Sequence, residues 1–354
     1  MALWVDKHRP TSLDKLDYHI DLSQHLKKLC ASGDFPHMLV FGPPGAGKKT
    51  RVVSILRELF GPGSEKIKID QRIFETPSKR KLELNIVSSN YHLEVNPSDV
   101  GNYDRVVIQD LLKEVAQTQQ VDVSAQKRFK VVVIHEADLL TRDAQAGLRR
   151  TMEKYMSNLR IIMCCNTTSK IIGPIQSRCL LVRVGAPTVP EICKVLHKVV
   201  KKEHCGPLPE SLAVKLAEES GRNLRRALLM LETAKVQCHP FKENQEIPRM
   251  DWEEFIRVVM AQVLRMQNPE SLQIVRGQLY ELLNHCIDPT TILKTLAREL
   301  IAKVDGDDIK MRFAQEAAFY EHRLRIGQKA IFHLEAFVAK IMSVYKRHLM
   351  SMDM

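Results

Sequence analysis

The chain has 354 residues, 44% of them apolar and 27% charged, which is typical of a soluble protein with two or three domains. Its net charge of +11 favours a polyanionic partner such as nucleic acid, with a merely basic soluble protein as the alternative. The N-terminus has no apolar leader region and no segment approaches the length of a membrane span, so we expect neither secretion nor a membrane partner. Eight scattered cysteines without a C-x-x-C pair predict reduced core thiols, with no disulfide framework and no zinc site.

Strands and helices alternate through the first half of the chain. Short apolar runs predict strands at 37–41, 81–89, 91–96, 129–138, 159–166 and 179–184. Helical spacing predicts helices at 49–60, 105–120 and 144–155. The segment GAPTVPE (185–191) carries two prolines and a glycine and predicts a domain boundary, after which 188–238 contains only short helices. A polar, proline-containing loop (239–250) precedes a last helical block. This order predicts an α/β domain with a doubly wound parallel sheet, followed by helical additions.

Residues 42–50, GPPGAGKKT, resemble a phosphate-binding loop between a strand and a helix. Gly42, Gly45 and Gly47 allow the backbone N–H groups to face phosphate oxygens, and Lys48 adds a positive charge at the β- and γ-phosphates. The pattern requires a hydroxyl directly after the lysine, as a ligand for Mg²⁺, but Lys49 stands there and the hydroxyl follows at Thr50. Adjacent helical residues point about 100° apart, so Thr50 does not replace the missing ligand. A chance glycine-rich turn is the alternative.

An acidic segment, HEAD (135–138), ends the apolar strand at 129–138. Glu136 is placed to orient or deprotonate an attacking water, and Asp138 follows two residues later. The carboxylate that would face Mg²⁺ is expected just before Glu136, where the chain has His135 instead. Because Mg²⁺ prefers hard oxygen ligands, a neutral imidazole is a poor substitute. Both metal-holding positions are therefore altered, and we expect Mg²⁺ to be weakly held and hydrolysis to be impaired.

The whole chain resembles the small subunits of eukaryotic replication factor C, a clamp loader of the AAA+ ATPase family. The resemblance rests on LWVDKHRP (3–10), GPPGAGKKT, HEAD, the strand-end Asn166 and the triplet SRC (177–179), in that order. Lys49 and the lack of an acidic residue at 135 resemble one particular small subunit, as does the closing helix. The resemblance implies an AAA+ nucleotide-binding α/β domain at 1–186, a helical lid at 187–240 and an α-helical collar at 250–354 that joins five subunits.

The resemblance also implies roles for individual residues. Val5, Arg9 and Pro10 would lie against adenine, Asn166 would hydrogen-bond near the γ-phosphate as sensor one, and Arg225 would be the sensor-two arginine of the lid. The remaining nucleotide-binding positions are those of the loop: Gly42, Pro43, Pro44, Gly45, Ala46, Gly47, Lys48, Lys49 and Thr50. Arg178 would act as an arginine finger on a neighbouring subunit's nucleotide. The implied cofactor is ATP or ADP, and the implied partners are four other replication factor C subunits, the sliding clamp PCNA and primer-template DNA.

Several alternatives stay open at the level of sequence. Arg225 could be a surface cation beside Arg222 and Arg226, and Arg178 could tie its loop to a local carboxylate. Arg105 is a candidate phosphate contact on DNA, or else pairs with Asp104 or Asp110.

The basic cluster SKRK (78–81) could be a nuclear localisation signal or only a solvated turn, and we expect a nuclear protein.

Three functions compete for the whole chain. They are a weakly catalytic or non-catalytic subunit of a clamp-loading ATPase for replication and repair, an autonomous P-loop motor on DNA, and a scaffold that binds no nucleotide. The altered metal positions oppose the motor, and the intact loop opposes the scaffold.

Overall fold

The computed structural model describes residues 2–75, 81–117, 129–156, 158–243, 245–247 and 249–352. The chain divides into two compact units, Met1–Ile247 and Pro248–Met354. Most of the predicted basic cluster at 78–81 lies outside the described residues, as does the end of the helix predicted at 105–120.

A seven-stranded sheet forms the centre of the first unit. Its strands are β1 (Met38–Phe41), β2 (Lys68–Glu75), β3 (Lys81–Ser88), β4 (His92–Val95), β5 (Lys130–Ile134), β6 (Leu159–Cys165) and β7 (Leu180–Arg183). They lie in the order β2-β3-β4-β5-β6-β1-β7. Strands β4, β5, β6, β1 and β7 pair in parallel, while β2 and β3 form an antiparallel extension at one edge. The predicted parallel sheet is confirmed, and β2 was not anticipated.

Helices cover both faces of this sheet. The helices on the two faces are α2 (Ile20–Ala31), α3 (Lys48–Phe60), α4 (Asp104–Gln117), α5 (Arg142–Lys154) and α6 (Gly173–Gln176), and the short helix α1 (Trp4–Lys7) precedes them in the chain. Alternate residues of each strand point to opposite faces, so Val132 packs in the cluster with α4 and α5, whereas Val131 and Val133 pack in the cluster with α2 and α3. The sheet is therefore doubly wound, and the carboxyl ends of its parallel strands share one edge, where ligands bind in such folds.

Three further helices complete the first unit: α7 (Val189–Lys202), α8 (Glu210–Glu219) and α9 (Leu224–Gln237). A capping box between Thr188 and Glu191 begins α7 just after the predicted boundary segment. These helices have an apolar cluster of their own, and Trp4 of α1 is part of it. The backbone N–H of Trp4 also donates to Glu232 of α9 at 3.1 Å, so the N-terminal segment is attached to the three-helix layer.

The second unit contains only helices among its described residues. They are α10 (Asp251–Arg265), α11 (Pro269–Asn284), α12 (Pro289–Lys303), α13 (Asp307–Ile326) and α14 (Ala330–Met352). Apolar side chains from all five form one core, which includes the fully buried Phe313 and Phe337. The predicted helical block is confirmed, whereas the finer three-domain division at 186/187 stays a prediction.

Cysteine chemistry and membrane spans were also predicted from the sequence. Each of the eight cysteines is a free thiol, and five are buried, but Cys286 is exposed and is not a core thiol. Among the described residues, no helix combines the length and apolar character that crossing a bilayer requires.

Candidate nucleotide-binding site

The glycine loop connects β1 to α3 at the carboxyl edge of the sheet, and its backbone is closely enclosed. Gly45 and Gly47 have φ of +73° and +84°, which side chains rarely adopt. A Cβ on Gly45 would lie 1.7 Å from Asn223 Oδ1, and one on Gly47 would lie 2.3 Å from Tyr18 Oη. Glycine is therefore required at both positions, for backbone conformation and for space. The N-terminus of α3 follows directly and favours an anion at this place.

Lys48 begins α3 and folds back over the loop. Its ammonium donates hydrogen bonds to the carbonyls of Gly42 at 2.7 Å and Pro43 at 2.9 Å, and to Asn166 Oδ1 at 2.9 Å. Burial lowers the pKa of Lys48, and the nearby positive charge of Arg225 acts in the same direction. Two cations thus face the same space from the loop and from α9, and a polyanion bound between them would relieve their repulsion.

A cavity of about 910 Å³ lies at this edge of the sheet, large enough for a nucleotide. Twelve of the residues predicted from the sequence line it: Val5, Arg9, Pro10, Pro44, Gly45, Gly47, Lys48, Lys49, Thr50, Glu136, Asn166 and Arg225. Gly42, Pro43 and Ala46 belong to the same loop without lining the cavity. The structure therefore brings segments separated by more than 200 residues in the sequence to one site.

The helical layer after β7 closes one side of this cavity, with apolar residues that the sequence analysis did not name. Val195 and Val199 of α7 and Leu228 of α9 line it together with Val5 and Pro10. This apolar end suits a flat aromatic base, and the adenine contacts implied for Val5 and Pro10 stay a prediction.

Tyr18, which precedes α2, supports the loop from the side. Its hydroxyl donates to the carbonyl of Ala46 at 2.8 Å, while its own carbonyl accepts from Arg51 at 2.8 Å. Arg51 lies on α3, is 1% exposed and also donates to Ser23 of α2 at 2.9 Å. The buried Arg51 therefore stabilises the position of Tyr18 beside the phosphate loop, although it belongs to no recognisable sequence motif.

The acidic segment follows β5 at the same edge. Glu136 is exposed, lines the cavity and has a φ of +51°, which turns the chain sharply after the strand. Asp138 is 8% exposed, and its Oδ2 accepts from the backbone N–H of Asn166 at 3.3 Å. Asp138 therefore orients the strand end that carries Asn166, while Glu136 remains beside the space where a water could react.

The two residues that depart from the phosphate-loop and acidic patterns meet on a third residue, Glu94 of β4. Lys49 Nζ lies 3.5 Å from Glu94 Oε2, and His135 Nε2 donates to the same oxygen at 3.0 Å. The other oxygen, Oε1, lies 3.7 Å from Nε2 of the buried His92. Burial raises the pKa of Glu94, but the hydrogen bond from His135 and the charge of Lys49 outweigh it, so the pKa lies below its usual range.

This arrangement does not fit a magnesium site. Mg²⁺ requires near-octahedral oxygen ligands, but the positions that should supply them carry an ammonium and an imidazole. No group of three or more His, Cys, Asp or Glu in the described part of the chain is arranged to hold a metal ion. The cations Lys48 and Arg225 fit a polyphosphate, whereas the residues at 49 and 135 do not fit its usual metal.

Three family models match the chain. Their descriptions are the C-terminal domain of replication factor C subunit 3 (252–349), a RCF1/5-like AAA+ ATPase lid domain (194–236) and the delta subunit of DNA polymerase III (18–188). Replication factor C subunit 5 of Neurospora crassa is 61% identical and covers 100% of both chains. Replication factor C subunit 3 of Homo sapiens is 58% identical over 98% of this chain and 97% of its own.

This chain belongs to the replication factor C subunits. The animal relatives are numbered three and the fungal relatives five, which confirms the resemblance to one particular small subunit. Membership makes the chain one subunit of a multi-subunit clamp loader. A branch-migration motor, RuvB of Thermotoga maritima, shares the fold with a TM-score of 0.50 at 16% identity, covering 77% of this chain and 85% of that one. Together with the AAA+ lid model, this likeness shows an AAA+ fold, which implies nucleotide binding.

Two arginines predicted for the replication factor C roles lie outside the cavity. Arg178 follows α6 and is partly exposed, where it pairs with Glu153 of α5 at 2.7 Å and donates to the carbonyl of Pro174. This is the local carboxylate contact considered as the alternative from the sequence.

Arg105 lies exposed in the first turn of α4, and both carboxylates suggested as its partners are engaged elsewhere. Asp104 accepts from the N–H and hydroxyl of Thr141, and Asp110 pairs with Lys113. Within the described residues, Arg105 and Arg225 have no ion pair.

Proposed function

We propose that this chain is a nucleotide-binding, weakly hydrolytic or non-hydrolytic subunit of a clamp loader that uses ATP to place PCNA on primer-template DNA. It works with four other replication factor C subunits in replication and repair in the nucleus. The observation that carries the proposal is that Lys48, Asn166 and Arg225 line one and the same cavity, while Lys49 and His135 are paired with Glu94.

Nucleotide binding is supported by the electrostatics of the cavity. Lys48 loses part of its affinity for protons through burial and through the charge of Arg225, so an anionic phosphate chain is favoured there. The N-terminus of α3 adds its partial positive charge. ATP or ADP would supply the phosphates that these groups hold. Asn166 would form a hydrogen bond near the terminal phosphate. Val5, Arg9 and Pro10 would lie against the base.

Impaired hydrolysis follows from the same groups. Glu136 can still orient a water, but the ligands that hold Mg²⁺ at the transferred phosphate are lacking, so we infer that Mg²⁺ is weakly held. An autonomous motor on DNA would need those ligands, and a nucleotide-free scaffold would not need an enclosed cradle. Neither alternative is favoured by a specific observation.

Arg178 is proposed to serve a neighbouring subunit's site. A guanidinium can bind the oxygens of a terminal phosphate with two parallel hydrogen bonds and stabilise the charge that develops as the phosphoryl group leaves. Its present partner, Glu153, is solvent-exposed, and exposed ion pairs contribute little to stability. Arg178 can therefore exchange Glu153 for a phosphate in an assembled complex. Arg105, exposed at the start of α4, is proposed as a contact with DNA phosphate.

The test compares Arg178→Ala and Lys48→Ala in the assembled complex. Arg178→Ala is expected to remove the share of ATP turnover that belongs to one adjacent site, and Arg178→Lys to rescue it poorly because it lacks the planar fork. Lys48→Ala is expected to reduce the amount of nucleotide bound by this chain, but to lower the ATP turnover of the complex much less than Arg178→Ala does. The lone chain should hydrolyse almost no ATP in all forms. Full ATP turnover of the complex with Arg178→Ala and none with Lys48→Ala would contradict the role proposed for each residue.

A further inference from the structure

Three side chains from three separate parts of the fold meet at the wall of the nucleotide cavity. Lys49 comes from the first turn of α3, Glu94 from the middle of β4 and His135 from the end of β5. Lys49 and His135 line the nucleotide cavity, whereas Glu94 lies behind them and is 6% exposed. The two cavity residues therefore separate a buried carboxylate from the space where the phosphates would lie.

A buried carboxylate is costly unless donors or cations compensate it. Glu94 has both, because Lys49 lies 3.5 Å and His135 lies 3.0 Å from its Oε2. The charges of Lys49 and Glu94 cancel, and the imidazole adds a hydrogen bond without requiring a charge. The cluster therefore holds no excess negative charge that would attract a divalent cation.

We propose that the Lys49 ammonium takes the place of magnesium beside the nucleotide and that Glu94 is a masked magnesium ligand behind it. This inference rests on the proposed nucleotide binding and deepens it. It predicts that the unaltered chain binds ADP almost equally well with and without Mg²⁺. It also predicts that one substitution is enough to create a dependence on the metal.

That substitution is Lys49→Ser. It removes the cation from Glu94, leaves the buried carboxylate with His135 as its nearest donor, and restores a hydroxyl at the position where the loop pattern has one. Mg²⁺ normally keeps several of its waters when it binds to phosphates and proteins, so contact with Glu94 through a water suffices. The cavity would then have a site for a metal between the carboxylate and the phosphates.

The experiment measures ADP affinity of the full-length chain by calorimetry, in Mg²⁺ and in chelator. The parent chain is expected to differ less than tenfold between the two conditions. Lys49→Ser should bind ADP at least tenfold more tightly with Mg²⁺ than without it, or about 1.4 kcal/mol. Adding Glu94→Gln to Lys49→Ser should abolish this difference. Lys113→Ser, which removes one exposed positive charge from α4, serves as the matched control and should behave like the parent.

A second measurement counts the Mn²⁺ ions bound per chain in the presence of ADP, by electron paramagnetic resonance. One ion is expected for Lys49→Ser and none for the parent or the double variant, an outcome that a merely structural role of Glu94 would not produce. A metal dependence of tenfold or more in the parent, or none in a folded Lys49→Ser chain that still binds ADP, overturns the inference. A parent chain that binds no ADP in either condition contradicts the proposed function instead.

Discussion

Protonation of His37 should destabilise the first unit, because this histidine is buried where β1 begins, between β6 and β7. It precedes β1 and is 3% exposed. Its Nδ1 accepts from the backbone N–H of Ile161 in β6 at 3.0 Å, while its carbonyl accepts from Leu180 of β7 at 2.8 Å. Burial, aided by the charge of Arg160, lowers the pKa of His37 from 6.5 to about 4.

The direction of the pH effect follows from the two pKa values. Above about pH 6.5 the histidine is neutral in both the folded and the unfolded chain, so it contributes no pH dependence. Between pH 6.5 and about 4 the unfolded chain takes up a proton that the folded chain does not, and stability falls as the pH falls. The difference between these pKa values corresponds to about 3 kcal/mol, all of it lost below about pH 4.

The test uses the two tryptophans, one of which lies in each unit. With Trp252→Phe in every chain, the fluorescence of Trp4 reports urea unfolding of the first unit alone. His37→Gln offers Ile161 an acceptor that does not titrate, so this variant should lack the loss of about 3 kcal/mol between pH 7 and pH 4. His25→Gln removes an exposed histidine and should keep the parental pH dependence. An equal loss of stability in His37→Gln and the parent would refute the reasoning.

Two further predictions concern the loop and the DNA contact. Gly45→Ala should weaken ADP binding by about tenfold or more, because its Cβ would collide with Asn223. Gly33→Ala is the control, since Gly33 has a similar φ of +86° but open space around it, and it should keep the parental affinity when folded variants are compared by calorimetry. Arg105→Ala should weaken binding of the assembled complex to primed DNA equally for unrelated sequences, and should reduce by about one the slope of log affinity against log salt concentration. Lys113→Ala on the same helix should change neither, and an unchanged slope in Arg105→Ala would mean that Arg105 does not contact DNA.

The sequence predicted the elements that carry strong local signals. The runs at 38–41, 130–134 and 159–165 are rich in β-branched and other apolar residues because they are buried on both faces of a parallel sheet. The glycine loop was recognisable because its geometry excludes side chains at fixed positions. Strand β2 escaped notice, since KIDQRIFE is mostly polar and leaves Ile69 and Ile73 exposed. An edge strand with little buried surface gives no apolar pattern to recognise.

The sequence could not show which distant residues meet. Lys49 and His135 were each recognised as departures from a pattern, but nothing local pointed to Glu94, which lies in the short strand HLEV without a recognisable motif. Similarly, Arg51 looks like any helix-surface cation in KTRVVSILRELF, yet it is buried against Tyr18. Contacts of this kind depend on strand order and helix packing, which a pattern along the chain does not encode.

The pairing through Glu94 also explains why neither altered position should restore hydrolysis by itself. Lys49→Ser would admit a metal, but His135 would still offer an imidazole where the transferred phosphate needs a carboxylate-bound ion. His135→Asp would place a second carboxylate beside the buried Glu94, and Lys49 would remain between them as their shared cation. A hydroxyl at 49 admits the metal, but a carboxylate at 135 is also required before the bound metal can support hydrolysis. Only the double variant is therefore expected to gain turnover in the lone chain, and turnover in either single variant would mean that the two positions act independently of Glu94.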